Sequence, residues 1–328
     1  MRMRGAVWCL IGTLLWPAAD SAAQTFPTFS LPSGAQAKLA QEIEMQTLGG
    51  RQFWGDVRFS GEFRIQRNVF TGHHRLLDGR DWRHQWGSYD ECCDKLDELC
   101  TKRKLAPMSG KAVICLHGIL RSSKSMQPMT AALRDEGYTV FPFDYPSTQI
   151  SIPDAAEFLH QVIERLNGIE EIALVGHSMG GLVIRAYFAE HHDPRIRRVV
   201  MLGTPNTGAE LADRLQPVFL VRAVTGPAGR QLLTSGIAPS LPAPPVEFAV
   251  IAGARGIDSG WNPLIPGDDD GTVTVESTRL VGATDFTTVP VMHHALTSNA
   301  EALQCVCRFL ESGRLRPEGE RRPITSEK

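Results

Sequence analysis

Between residues 110 and 312 short apolar runs alternate with amphipathic ones, and that alternation leaves few architectures open. "KAVICLHG", "YTVFPFDYP", "EIALVG", "IRRVVMLG", "VEFAVIAG" and "FTTVPVM" are strand-length runs rich in Val, Ile, Leu and Phe. Such runs suit strands covered on both faces. Between them lie helical patterns. "MQPMTAALRDEG" carries Met126, Met129 and Leu133 inward, with Gly137 suited to its C-terminal stop. "IPDAAEFLHQVIERLNG" aligns Ala156, Leu159, Ile163 and Leu166, and Gly168 closes it. A helix is expected after Ser178, and "NAEALQCVCRFLES" supplies the last. Repeated βαβ units predict an α/β fold, a mainly parallel sheet with helices on both faces.

Upstream, "DVRFSGEFRIQRNVF" alternates Val57, Phe59, Phe63 and Ile65 with polar residues, as in strands with one wet face. "SYDECCDKLDELCTKRK" offers Ser88 and Glu91 as a capping box ahead of a stripe of Cys92, Leu96, Leu99 and Cys100. Residues 206–245 break the rhythm with helical pieces "ELADRL" and "VFLVRAV" and Gly- and Pro-rich joins. This insertion is expected to cap a pocket; the plainer reading is an excursion packed on the sheet edge.

The N-terminus reads as an export signal. A basic "MRMRG" precedes "AVWCLIGTLLW", a run well short of the ~20 residues a membrane-spanning helix needs. Ser21 and Ala23 sit in cleavage-site spacing, so processing is expected near Ala23 and Gln24, with an uncleaved anchor as the competing reading. Residues 1–23 are then a signal peptide, 24–50 a leader, 51–315 the main domain and 316–328 a polar tail. The exported chain would be periplasmic or secreted, and it keeps Cys92, Cys93, Cys100, Cys115, Cys305 and Cys307. Oxidation is possible there, but Cys115 lies in an apolar strand where a buried thiol is the simpler reading. With Lys and Arg at 34 against 36 Asp and Glu, the chain has no basic excess to suggest nucleic acid.

The chemistry concentrates in "IALVGHSMGGLVIRAYF". Gly176-His177-Ser178-Met179-Gly180 is a G-x-S-x-G sequence between a buried strand and a helix, the context that motif requires. A strand turning directly into a helix strains the serine backbone, and bulky neighbours would clash. The turn raises the hydroxyl where a base can reach it, beside helix N-terminal amides that favour developing negative charge. The serine needs a base, and the base needs a group to hold it. Of ten histidines, His293 and His294 stand at the end of the last strand, and their side chains diverge so that only one can face the serine. The acid is sought among Asp258, Asp268, Asp269 and Asp270. Asp270 precedes Gly271, where the backbone can turn; two of the three consecutive aspartates read as solvated loop. "LHGIL" ends a strand at the sheet's carboxyl edge, where Gly118 permits close approach, so the Ile119 and Met179 amides are the candidate oxyanion donors and His117 a positioning residue.

"HGIL", "GHSMGG", "LGTPNTG", "DDDGTV" and a histidine before the last helix together resemble the α/β-hydrolase superfamily, in particular its bacterial lipase and esterase branch, over residues 110–312. The resemblance implies Ser178 as nucleophile, Asp270 as acid and His293 as base, in the order Ser, Asp, His. His293 is preferred to His294 because similar sequences read "VPV-x-H" there. It implies that the "FRIQRNVFTGHHRLLDG" strands belong to the same domain as its opening hairpins. It also implies cleavage of carboxylic esters without fixing the substrate; an apolar cap over the serine would favour a hydrophobic acyl ester and transient contact with a lipid surface. Acyl transfer, thioester hydrolysis, peptidase action or a binding protein on a hydrolase scaffold would use the same framework. No cofactor is expected. A calcium ion at Asp268 and Asp269 is not favoured, and the doublets His73-His74 and His191-His192 lack an acidic or cysteine partner at ligand spacing.

Overall fold

The apolar runs pair as the alternation requires. The computed structural model describes residues 45–46, 51–215 and 219–326. The expected signal peptide lies outside these residues, as does most of the leader. Strands β1 (Met45–Gln46), β2 (Trp54–Ser60), β3 (Phe63–Asn68), β4 (His74–Leu77) and β5 (Trp82–Gly87) form an antiparallel sheet ordered β1-β5-β4-β3-β2. Helix α1 (Tyr89–Arg103) follows, opened by the Ser88–Glu91 capping box, with both reciprocal hydrogen bonds present. Then come β6 (Gly110–Leu116), α2 (Gln127–Asp135), β7 (Thr139–Phe143), α3 (Ile152–Glu164), β8 (Ile169–His177), α4 (Met179–Glu190), β9 (Ile196–Leu202), α5 (Glu210–Leu215), α6 (Phe219–Gln231), β10 (Glu247–Gly253), α7 (Val275–Thr278), β11 (Asp285–Val289) and α8 (Ala300–Ser312).

The second sheet is parallel and ordered β11-β10-β9-β8-β6-β7. Its strands alternate between two cores, as the pleat dictates. Ala112, Ile114 and Leu116 of β6 join a cluster with Leu159 and Ile163 of α3 and Leu182 and Val183 of α4. Val113 and Cys115 face the other way, against Met129 and Leu133 of α2 and Val306 and Phe309 of α8. Each fully buried Leu, Ile, Val or Phe contributes about 1.5–3 kcal/mol from removal of apolar surface from water. The chain runs outward from β6 to β7, then returns to the other side of β6 for β8. The topological switch point, where ligands bind in open α/β sheets, therefore lies between the carboxyl ends of β6 and β8.

The upstream strands form a sheet of their own, and their apolar side chains Val57, Phe59, Phe63 and Ile65 enter the same cluster as one face of the parallel sheet. Their polar face departs from the expected wet one. Asp56, Arg64, Gln66 and Arg75 are all buried. Gln66 links them: its Nε2 donates to Asp56 at 2.8 Å, and its Oε1 accepts from Arg75 Nη2 at 2.7 Å. Arg64 bonds Asp144 at 2.8 Å and pairs with Asp81. Asp56 Oδ2 accepts the Asp144 amide at 2.6 Å, and the Asp56 amide donates to the Asp144 carbonyl at 2.9 Å. Alternation had exposed only the polarity of that face; what covers it comes from residue 144, far along the chain. Burial pushes the Asp56 carboxyl up to about 7, against the pull of Arg64 and with the help of Asp144.

The polar C-terminal segment is mostly exposed and is tied to the domain at a few points. Buried Asp285 accepts from Leu315 N at 2.9 Å and Arg322 N at 3.0 Å, and Ile324 packs against the core. All six described cysteines are free thiols, and Cys115 is buried in its strand.

Removing one partner from a buried ionic network strands the others in low dielectric. Arg64→Met should therefore cost about 3–5 kcal/mol in urea unfolding, because Asp56 and Asp144 stay buried without their cation. A loss below about 1 kcal/mol would show that water reaches the network and screens it.

Candidate active site

At the end of β8 the chain turns into α4 through one residue. Ser178 has φ 54° and ψ −125°, a conformation that non-glycine residues rarely adopt, and its amide donates to the Leu202 carbonyl of β9 at 2.8 Å. The glycines around it are explained by contact. A Cβ on Gly176 would lie 2.6 Å from the Gly181 nitrogen, and one on Gly180 would lie 2.6 Å from the Leu116 carbonyl oxygen. One on Gly181 would lie 2.0 Å from Thr204 Oγ1, and one on Gly118 would lie 3.0 Å from Ser178 Cβ. The turn is therefore pressed against the ends of both neighbouring strands. Ser178 is left only 8% exposed, so the hydroxyl sits in an enclosed position and not on an open rim.

On the far side of β9 the two other candidates meet. His293 Nδ1 lies 2.7 Å from Asp270 Oδ2, and the His293 amide donates to the Asp270 carbonyl at 2.8 Å. Asp270 is 1% exposed, and its Oδ1 accepts from the Thr272 and Val273 amides at 3.0 and 2.8 Å. Those two amides fix the carboxylate rotamer, which leaves Oδ2 for the imidazole. A carboxylate on Nδ1–H leaves Nε2 as the basic nitrogen, the tautomer a general base requires. His294 is exposed.

Of the other aspartates, Asp258 is exposed, while Asp268 and Asp269 are not the solvated residues expected. Asp268 accepts from the Arg255 and Gly256 amides at 2.7 and 3.0 Å. Asp269 is fully buried and accepts from the Gly271 amide at 2.6 Å and the Asn262 amide at 3.0 Å. Burial pushes its carboxyl up, while the amides around it oppose the shift. Both are staples of the loop that presents Asp270, each working through backbone donors that sequence spacing does not reveal.

Ser178 Oγ makes no hydrogen bond to another described residue. The link between the serine turn and the histidine loop runs instead through His177, the variable position of the motif. Its Nε2–H donates to the His293 carbonyl at 3.0 Å, and the two rings lie 4.7 Å apart. That fixes Nδ1 as the unprotonated nitrogen, and it is buried without a partner. Burial, and then the neighbouring His293, hold the His177 imidazole well below its ordinary pKa, so it is neutral near pH 7.

Of the candidate donors, Ile119 follows β6 and Met179 opens α4. Neither the Ile119 nor the Met179 amide donates to another described residue. Leu120, at φ 61°, is held by a bond from its amide to Ser147 Oγ at 3.1 Å. His117 is buried, stacks on Tyr145 at 4.3 Å, and bonds the Gly118 carbonyl through Nδ1 at 2.8 Å. It braces the loop, as a positioning residue should. Tyr145 reinforces it by donating its hydroxyl to the His117 carbonyl. Sequence reading passed over Tyr145 and His177, since neither occupies a fixed position of the motif. It also dismissed the His191-His192 doublet for want of an acidic partner, yet Glu157 Oε2 lies 3.1 Å from His191 Nε2.

With this geometry in place, two comparisons bear on it. Residues 111–224 match a family described as having the alpha/beta hydrolase fold. Among solved structures, the chain is similar to the mature form of Bacillus licheniformis lipase BlEst2, with 21% identity, a TM-score of 0.50, and coverage of 61% of this chain and 90% of that one. The propeptide form of the same protein gives 21% identity and a TM-score of 0.51, with coverage of 66% and 52%. The chain has the α/β-hydrolase fold, as the motif resemblance implied.

The Gly181 contact can be tested by stability alone. Gly181→Ala should cost roughly 1–3 kcal/mol in urea unfolding by overpacking, and adding Thr204→Ala should restore most of it. Thr204 Oγ1 is buried with no hydrogen-bond partner, so removing it forfeits no bond. An additive double mutant would mean the two residues do not share that space.

Proposed function

We propose that this chain is a serine hydrolase of carboxylic esters that works through Ser178, His293 and Asp270. The observation that carries the reading is the 2.7 Å Asp270–His293 bond, formed beside a serine held in a strained strand-to-helix turn. The serine and histidine are not hydrogen-bonded to one another; in free enzymes such bonds are often long and tighten only around substrate.

His293 Nε2 takes the proton of Ser178 as Oγ attacks the ester carbonyl. Asp270 stays ionised, holding the ring and stabilising the imidazolium that forms. The Ile119 and Met179 amides, which have no partner to give up among the described residues, donate to the oxyanion of the tetrahedral intermediate. His293 then returns the proton to the departing alcohol, leaving an acyl-Ser178. A water deprotonated by the same imidazole releases the acid and restores the serine.

Three features support a hydrophobic acyl ester as substrate. Leu120 follows Ile119, Met292 precedes His293, and Trp261 stands beside Gly271, next to Asp270; all three are exposed apolar side chains next to proposed catalytic positions. The 206–245 insertion follows β9 and is tied to the loop after β7, where Gln231 Oε1 accepts the Ile152 amide at 2.7 Å. It therefore belongs to the carboxyl edge of the sheet, where a cap over the serine would stand. A solved protein that is similar in fold is itself described as a lipase.

Ser178→Ala should lower hydrolysis of p-nitrophenyl esters by roughly 10³-fold or more, with chain-length preference read on the wild type. His293→Ala should fall comparably, and His294→Ala should stay within a few-fold of wild type. Undiminished activity in Ser178→Ala would overturn the reading.

A further inference from the structure

The C-terminal end of α4 carries a cluster that the proposed ester chemistry does not use. Glu157 and His160 stand three residues apart on α3, on one face of the helix, and His191 caps the end of α4. Helix packing brings the three together, each offering a ligand atom within 4.8 Å of the others. Glu157 Oε2 lies 3.1 Å from His191 Nε2. The imidazoles of His160 and His191 stack at 3.7 Å, inclined by only 7°.

His160 shows which nitrogen is available. Its Nε2 faces Glu164 Oε1 at 3.5 Å, while its Nδ1 is buried and has no hydrogen-bond partner. A buried imidazole nitrogen without a partner is an unmet polar group, and where it carries its lone pair a cation can answer it. A carboxylate on the opposite ring nitrogen is the usual support of a metal-bound histidine, because it fixes the tautomer and raises ligand basicity.

We propose that Glu157, His160 and His191 form a binding site for a borderline divalent transition metal of the zinc class, fastening the end of α4 to α3. Two imidazoles and one carboxylate suit zinc, nickel or copper over calcium or magnesium, which take oxygen donors. Tetrahedral ligands at 2.0–2.1 Å lie ~3.4 Å from one another, so the Glu157–His191 pair is already near its final spacing, while the His160 ring must turn out of its parallel stack to bring its in-plane lone pair to the same ion. Water completes the fourth position. The site is structural. Ser178 is at the other end of the twelve-residue α4, roughly 18 Å away along its axis.

The test uses the untagged full-length chain, stripped with EDTA, desalted and then given zinc sulfate alone. Metal analysis after gel filtration should find one zinc per chain, and thermal unfolding should shift upward by on the order of 5 °C at a hundredfold excess over Kd. His191→Ala should abolish both effects, and Glu157→Gln should weaken zinc binding tenfold or more. Circular dichroism verifies folding of each variant, and the largely exposed position of Glu157 makes its variant the safer one. Cobalt in place of zinc should give the visible bands of a tetrahedral nitrogen–oxygen site. The proposal is overturned if wild type retains no zinc, if both variants retain zinc and the thermal shift at wild-type strength, or if cobalt shows the near-ultraviolet thiolate band of cysteine ligation.

Discussion

The geometry around Ser178 rests on how closely three backbones approach one another where β8 ends. The serine is forced to φ 54° because α4 must begin at once, and it can begin there only because Gly176 leaves room for the Gly180–Gly181 backbone, Gly180 for Leu116 and His117, and Gly181 for Thr204. A strained conformation of this kind costs roughly 1–3 kcal/mol and persists only where its surroundings over-determine it. Here the surroundings are the parallel ladder on both sides and the amide bond to Leu202.

A second constraint works from behind. The antiparallel sheet is joined to the loop after β7 by the buried Asp56, Arg64 and Asp144, with Asp144 accepting from the Ser123 amide and hydroxyl as well. The residues that follow reach toward the serine. Tyr145 stacks on His117, and Ser147 accepts the Leu120 amide. A sheet that contributes no proposed catalytic group thereby helps hold the loop carrying Ile119. The polarity of its inner face answers to that connection.

The readings that failed share one cause. Alternation places Arg64 and Gln66 on a wet face, and composition places Asp268 and Asp269 in solvent. In each case a polar residue is judged by its own hydropathy. Withdrawal of such groups from solvent depends on partners supplied from elsewhere: the Asp144 carboxylate and the Arg255 and Asn262 amides. The acidic neighbour of His191 is hidden in the same way, since it lies 34 residues earlier.

Period and punctuation in the sequence determined the parallel sheet, its flanking helices, the Ser88 cap and the sharp turn at Ser178. Each of these depends on residues within a few positions of one another, where sterics and solvation act directly. The tertiary structure alone decided that Asp270, of three consecutive aspartates, takes the imidazole, and that His293, of two adjacent histidines, receives it. It alone decided that a second sheet stands apart and that Glu157, His160 and His191 meet. Those outcomes turn on side-chain direction and on groups distant in the chain, which hydropathy along one dimension does not encode.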